Sequence, residues 1–229
     1  MQISIHINEL GKKFVNEWIF KNVTLTITPG EKLVILGSNG SGKSTLLQSV
    51  SSFLIPTKGE VVWKKVRHAE SSSASDRFRN EFGMTETIED DTIYKYFSMA
   101  SPYMELIEDF TLTETINHQK QFKPFVNSIS TKEIIALMQL EHTSEKFVKH
   151  FSSGMKQRVK LGLAILADCP VLLLDEPCSN LDANAIDWYQ NMITEFAQHK
   201  TILVCSNTVK EEYAFCTDKI EIENYKVQK

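Results

Sequence analysis

Nine consecutive residues, Gly37, Ser38, Asn39, Gly40, Ser41, Gly42, Lys43, Ser44 and Thr45, leave this chain few ways to fold around them. The apolar run Leu33, Val34, Ile35 and Leu36 before them reads as a buried parallel strand, and Leu46, Leu47 and Val50 after them read as the inner face of a helix. A glycine-rich loop between such a strand and such a helix is a phosphate-binding loop. Several phosphate oxygens must be met by donors at short range, and side chains on the loop would hold the backbone away. Gly37, Gly40 and Gly42 permit positive φ and close approach, so that successive N–H groups and the positive end of the helix face the anion. Lys43 then reaches the β and γ phosphates, and Ser44 offers its hydroxyl to Mg²⁺. A glycine-rich turn with a stray lysine leaves the flanking strand and helix unexplained.

A second apolar run, Val171, Leu172, Leu173 and Leu174, ends in Asp175, Glu176 and Pro177. Adjacent carboxylates at the edge of a buried strand are costly unless a cation or a proton-accepting role compensates, and in a parallel sheet this edge is where ligands bind. Asp175 therefore suits the Mg²⁺ shell, and Glu176 suits the orientation and deprotonation of an attacking water. The plain alternative is a surface turn that happens to carry two acids. A third apolar run, Thr201 to Cys205, ends at Ser206 and Asn207 on the same predicted edge.

The rest of the chain builds around these runs. Ile3, Ile5 and Ile7, then Val23, Leu25 and Ile27, alternate with polar residues, which predicts half-buried strands closed by a turn at Pro29 and Gly30. Phe14 lies between them; it is an ordinary surface ring or, ahead of a phosphate loop, a platform for a nucleotide base. Residues 64–93, with Ser71, Ser72, Ser73 and Ser75, are polar and patternless and read as a surface loop. From about Thr113 to Phe151 the periodicity turns helical, with Ile134, Ile135 and Met138 on one segment, which predicts a helical insertion over about residues 97–152. Ser152 or Ser153 would cap the helix that carries Val159, Leu163 and Leu166; read as structure alone, this is a well-capped helix.

Charge and cysteines narrow the function classes. Lys plus Arg number 25 against 29 Asp plus Glu, a net charge of −4, so no global basic field draws the chain to nucleic acid or anionic lipid. Cys169, Cys178, Cys205 and Cys216 show no CxxC pairing and sit in or beside apolar segments, as reduced cytosolic thiols do. No apolar run approaches the length of a membrane span, and the N-terminus has no basic stretch leading into an apolar core.

Taken together, the phosphate loop, FSSGMKQR (Phe151 to Arg158), VLLLDEP (Val171 to Pro177) and SNLD (Ser179 to Asp182) resemble the ATP-binding cassette (ABC) ATPase family, over nearly the whole chain. The resemblance implies a single α/β domain over residues 1–229: a P-loop NTPase core of mostly parallel sheet flanked by helices, an N-terminal antiparallel β subdomain, and the helical insertion. It implies ATP and Mg²⁺ as cofactors and a head-to-tail dimer with a second cassette, a copy of this chain or a close sibling. Ser152 and Gly154 would meet the γ phosphate across the interface, Glu176 would be the catalytic base, Asp182 would belong to the inter-subunit loop, and Phe14 would stack on adenine. The implied partner is a separate membrane permease, which places the chain in the cytoplasm against the membrane's inner face, with its coupling surface near Tyr103 to Phe110. Three departures stand out. In the signature, usually LSGGQ, Phe151, Ser153 and Met155 stand in place of Leu, the first Gly and Gln, while Ser152 and Gly154 match; Ala100, Ser101, Pro102 and Tyr103 run where a glutamine is expected; and Asn207 stands where the family has a switch histidine. The last two changes predict slow hydrolysis. They also motivate a second reading, a regulatory ATP-binding module that hydrolyses little. A third reading, a soluble ABC ATPase acting on ribosomes or DNA, sits less well with one cassette and an acidic balance.

Overall fold

The computed structural model describes residues 1–66 and 85–227. Nine strands are described: β1 (Gln2–Phe14), β2 (Glu17–Ile27), β3 (Lys32–Leu36), β4 (Lys58–Val66), β5 (Thr85–Thr87), β6 (Phe97–Ala100), β7 (Val171–Asp175), β8 (Thr201–Ser206) and β9 (Asp218–Glu221). The α-helices are α1 (Lys43–Val50), α2 (Leu112–Phe122), α3 (Thr131–Leu137), α4 (Ser153–Leu166) and α5 (Ala183–Phe196). The strands form an antiparallel sheet in the order β2-β1-β4-β5 and a five-stranded sheet in the order β6-β7-β8-β3-β9. Every pairing in the second sheet is parallel. The α/β class, with an antiparallel N-terminal subdomain, is the one the sequence predicts.

The central strands are apolar along their whole length because both of their faces are covered. Side chains alternate across a strand, and here the alternation feeds two cores. Val34, Leu172, Leu174, Ile202 and Val204 pack on one face with residues of α2 to α5, among them Ile116, Ile134, Leu161 and Tyr189. Leu33, Ile35, Val171, Leu173, Leu203 and Cys205 pack on the other with Leu46 and Leu47 of α1 and with Ile3, Ile5, Ile7 and Trp63 of the antiparallel sheet. Trp63, fully buried, donates its indole N–H to Val50 O at 2.9 Å. One side chain thus fills the core and satisfies a carbonyl at the end of α1, locking the phosphate-loop helix to the antiparallel sheet.

Two expectations change. Within residues 64–93, Lys64, Lys65 and Val66 continue β4, Thr85–Thr87 form β5 against them, and Asp90–Lys95 form a 3₁₀ turn. All three residues of β5 are exposed, so no apolar alternation marks it in the sequence. Residues 67–84, including the serines from Ser71 to Ser75, lie outside the described residues. Phe97–Ala100, placed by the sequence at the start of the helical insertion, is instead the edge strand β6 paired with β7. A run this short shows no period that separates strand from helix. The helical segment begins after it, and Gly162 of α4 lets that helix close on α3's neighbour Met138: a side chain added at Gly162 would lie 2.5 Å from Met138 Cε.

Candidate functional site

Parallel pairing brings the strand ends to one edge. Ala100 pairs with Leu174, Asp175 with Cys205, and Ser206 with Leu36. The residues that follow these ends, Ser101, Glu176, Asn207 and Gly37, are therefore neighbours along a single edge although they are far apart in sequence. This is the edge at which an open parallel sheet binds ligands.

The loop from β3 into α1 has the backbone an anion requires. Gly40 and Gly42 have φ of 73° and 109°, in the left-handed region. Gly37 is needed for a different reason: a Cβ there would lie 2.5 Å from both Ile222 Cγ2 and Ser41 Oγ. The other described α-helices carry a side-chain cap, from Thr111, Ser130, Ser152 and Asp182, whereas α1 begins at Gly42 with none. Its first N–H groups are left for a ligand. Ser38 departs from the expectation that every loop N–H faces the anion. Its N–H and hydroxyl both donate to Glu223 Oε1, at 2.7 and 3.1 Å, and this bonding lowers the Glu223 carboxyl below the usual range.

Lys43 is buried beside the loop it serves. Its ammonium donates to Gly37 O at 2.8 Å, to Ser38 O at 3.1 Å and to Asn207 Oδ1, and stands 3.9 Å from Glu176 Oε1. The groups that hold it are neutral oxygens and one distant carboxylate, which phosphate oxygens can replace at a gain in charge pairing. Glu176 has a φ of 46°, rare for a residue with a side chain, and its N–H donates to Cys205 O at 2.9 Å. Backbone held this way at a strand end stores strain of the kind found at active sites.

Asp175 is 1% exposed. Burial pushes its carboxyl above the usual range; the hydroxyls of Ser44 and Ser101 and the Lys43 ammonium pull it down, while the charge of Glu176 adds to the rise. Its Oδ2 accepts from Ser101 Oγ at 3.3 Å, and its Oδ1 has no hydrogen-bond partner among the described residues. A buried carboxylate oxygen with no hydrogen-bond partner among the described residues, beside the hydroxyl-bearing start of α1, is a hard-oxygen donor set of the kind Mg²⁺ takes alongside phosphate. The residues present fit that ion.

The other predicted positions lie further out. Phe14 is 45% exposed at the end of β1, with Lys12 Nζ 5.1 Å from its ring centroid. The β1–β2 hairpin it belongs to touches the loop through Ile19, whose Cγ2 would lie 2.5 Å from a Cβ at Gly42. Ser152, exposed, caps α4 by accepting from Met155 N at 3.2 Å. Gly154 faces Asn180, whose carbonyl would meet an added Cβ at 3.1 Å. Asp182 caps α5 by accepting from Ala185 N at 2.8 Å. No described hydrogen bond joins Ser152, Gly154 or Asp182 to the phosphate loop of the same chain.

Two residues of the site carry no sign of it in the sequence, Glu223 and Glu212; Ser101 is marked only by lying in the segment where the family has a glutamine. Glu212, 3% exposed, accepts from Cys178 N at 3.1 Å and from Ser206 Oγ, bridging the turn after Glu176 to the strand end before Asn207. Burial raises its carboxyl, and the bonds from Ser206 and Cys178 oppose the rise.

A family model described as ABC transporter matches residues 20–179. The protein YcbN of Bacillus subtilis (strain 168), described as an uncharacterized ABC transporter ATP-binding protein, is 27% identical over 213 residues, covering 92% of this chain and 64% of that protein. The sulfate/thiosulfate import ATP-binding protein CysA of Photorhabdus laumondii is 28% identical over 183 residues, covering 79% of this chain and 47% of that protein. The chain thus spans about half to two thirds of the length of these curated relatives. Among solved structures, the dimeric structure of a bacterial ABC transporter cassette superposes with a TM-score of 0.73 at 22% identity, over 95% of this chain and 93% of that one. A bacterial Atm1-family ABC exporter with ATP bound gives 0.74 at 17% identity, over 96% of this chain and 37% of that one. Both share its fold.

Proposed function

The chain belongs to the ABC transporter family, and on that premise we propose that it is the ATP-binding and ATP-hydrolysing subunit of a transporter. It would work with a separate membrane permease and with a second cassette, a copy of itself or a close sibling. One observation carries the proposal: the parallel register sets the phosphate loop, Asp175, Glu176 and Asn207 along one sheet edge.

In this reading Lys43 exchanges the carbonyls of Gly37 and Ser38 for β and γ phosphate oxygens, while the uncapped start of α1 with Ser44 and Thr45 receives the rest of the triphosphate. Phe14 offers its exposed ring to the base. Ser44 and Asp175 would hold Mg²⁺, which when bound offsets charge on the transferring phosphoryl group. Glu176 orients the attacking water and takes its proton. Ser152 and Gly154, which no described hydrogen bond joins to their own phosphate loop, complete the site of the opposing cassette, with Asp182 in the same interface. The permease sits on the exposed side chains of Tyr103, Met104 and Ile107, next to a cavity of about 190 Å³ lined by Phe53, Tyr94 and Leu106 among others. This coupling segment, between β6 and α2, is not helical. Among the described residues no helix is long and apolar enough to cross a membrane; in this reading the chain meets the bilayer through the permease, on the cytoplasmic face.

Asn207 sets the rate. Loss of a positioned electrostatic donor costs about 10²- to 10³-fold in catalysis, and the carboxamide oxygen of Asn207 is engaged by Lys43. The purified protein is therefore expected to release phosphate slowly, Glu176→Gln to abolish release while trapping an ATP-bound dimer visible by sedimentation, and Asn207→His to raise turnover. Wild-type release no faster than that of Glu176→Gln overturns the hydrolytic reading. The contact between Asn207 and Lys43 also favours a second reading, a regulatory module that closes on ATP and hydrolyses little; ATP-dependent dimers without phosphate release select it.

A further inference from the structure

Ser101 follows the edge strand β6 and is 2% exposed. Its hydroxyl accepts from Tyr103 N at 3.4 Å and lies 3.3 Å from Asp175 Oδ2. A serine hydroxyl has a single proton to give, and with Tyr103 N–H already donating, that proton goes to the carboxylate. The backbone around it is also held. Lys160 of α4 donates to Pro102 O at 3.2 Å and reaches Ser101 O at 3.5 Å. Asp175 is consequently asymmetric: Oδ2 is bonded to Ser101, and Oδ1 has no partner among the described residues.

We propose that Ser101 is a positioning residue of the magnesium site, holding Asp175 through Oδ2 so that Oδ1 is the oxygen presented to the metal. This rests on the reading of the site as one for magnesium nucleotide. Ser101 acts on the ion through Asp175, and Lys160 fixes it to the helix that begins at Ser152. A carboxylate free to rotate would spread its orientations, and the metal would have to restrict them on binding. Partners that orient a ligand in this way are worth about 10- to 100-fold in metal affinity.

Ser98, on β6 itself and also buried, has a hydroxyl with no hydrogen-bond partner among the described residues, which makes it the control. ATP affinity is measured by calorimetry across a Mg²⁺ titration and again in EDTA, for wild type, Ser101→Ala, Ser101→Thr and Ser98→Ala, with thermal melts of each. Ser101→Ala is expected to shift the Mg²⁺ midpoint about 10-fold upward and to leave ATP affinity in EDTA unchanged. Ser98→Ala should match wild type, and Ser101→Thr, which keeps the hydroxyl, should recover most of the loss. An unchanged Mg²⁺ midpoint in Ser101→Ala, or an equal loss of affinity with and without Mg²⁺, overturns the role of Ser101 alone. A wild type whose ATP affinity ignores Mg²⁺ overturns the magnesium-nucleotide reading and this role with it.

Discussion

Asp175 buries a carboxylate with one oxygen that has no hydrogen-bond partner among the described residues, and burial, with the charge of Glu176, holds its carboxyl above the usual range. For an acid whose folded pKa is raised, the ionised form carries a stability penalty that is fully present above the folded pKa and fades as the pH falls through it. Asp175→Asn removes that penalty, so the nucleotide-free variant should melt above wild type at neutral pH. It should also lose the extra stabilisation that Mg²⁺ adds to ATP, because the metal requires the charged form. In wild type, acidification through the raised pKa should weaken Mg²⁺ dependence. A variant that melts lower, or that keeps the Mg²⁺ effect, contradicts this assignment. Lys43, Asp175 and Glu176 are legible in the sequence because each stands at the end of an apolar run or inside a spacing that only phosphate chemistry uses. Glu212 and Glu223 are not, since a glutamate in a polar tail gives no local sign that the fold will set it at the site, and Ser101 is flagged only by the resemblance, as part of the segment where a glutamine is expected. For Gly37, the residue type is legible but the reason is not: crowding by Ile222 and Ser41, from two different parts of the chain, makes it necessary.

The two ends of α4 show how an element is pinned. Ser152 caps its start, and Lys200, 6% exposed, donates to Ile165 O at 2.7 Å and Ala167 O at 2.6 Å at its end. Burial lowers the Lys200 ammonium from 10.5 to about 8. A base whose folded pKa is lowered bears its penalty while charged, so that penalty is complete below about pH 8 and fades as the pH rises from 8 toward 10.5. The neutral amine keeps two N–H donors, enough for both carbonyls. Lys200→Met leaves those carbonyls unpaired and should cost about 2 kcal/mol by urea unfolding at pH 7. Wild-type stability should rise slightly from pH 7 to pH 9, and that of the variant should not. Above pH 9 the cysteines oppose the gain: Cys178 and Cys216, pushed by burial from 9.0 to about 12, stay protonated in the fold while the unfolded chain ionises. A variant as stable as wild type contradicts the capping role. Elements of this kind are half legible. The cap at Ser152 follows from a serine ahead of a periodic apolar face, but a lysine at the start of a buried strand reads as a solvated charge until the fold places it under a helix. Strands β5 and β6 escape sequence reading for a related reason: one is polar and exposed, the other too short for its period to count, and pairing with a neighbour makes each a strand.

At the scale of the whole molecule, two sheets and a helical segment are arranged so that a phosphate loop on one strand end meets carboxylates on another. The class of fold follows from three uniformly apolar runs, which only a sheet covered on both faces accommodates. In the proposed reading the site is divided in a way the sequence shows only through its resemblance to a family: Ser152 and Gly154, which no described hydrogen bond joins to their own phosphate loop, are assigned to a second cassette, and the exposed Tyr103, Met104 and Ile107 to a permease. All of this depends on the loop binding a triphosphate through Lys43. Calorimetry of ATP in Mg²⁺ with the purified chain and with Lys43→Ala tests that dependence. The expected result is saturable binding by the wild type and at least a ~10-fold loss in the variant, in line with removal of a charge-assisted contact. No ATP affinity in the wild type, or equal affinity in Lys43→Ala, would contradict it.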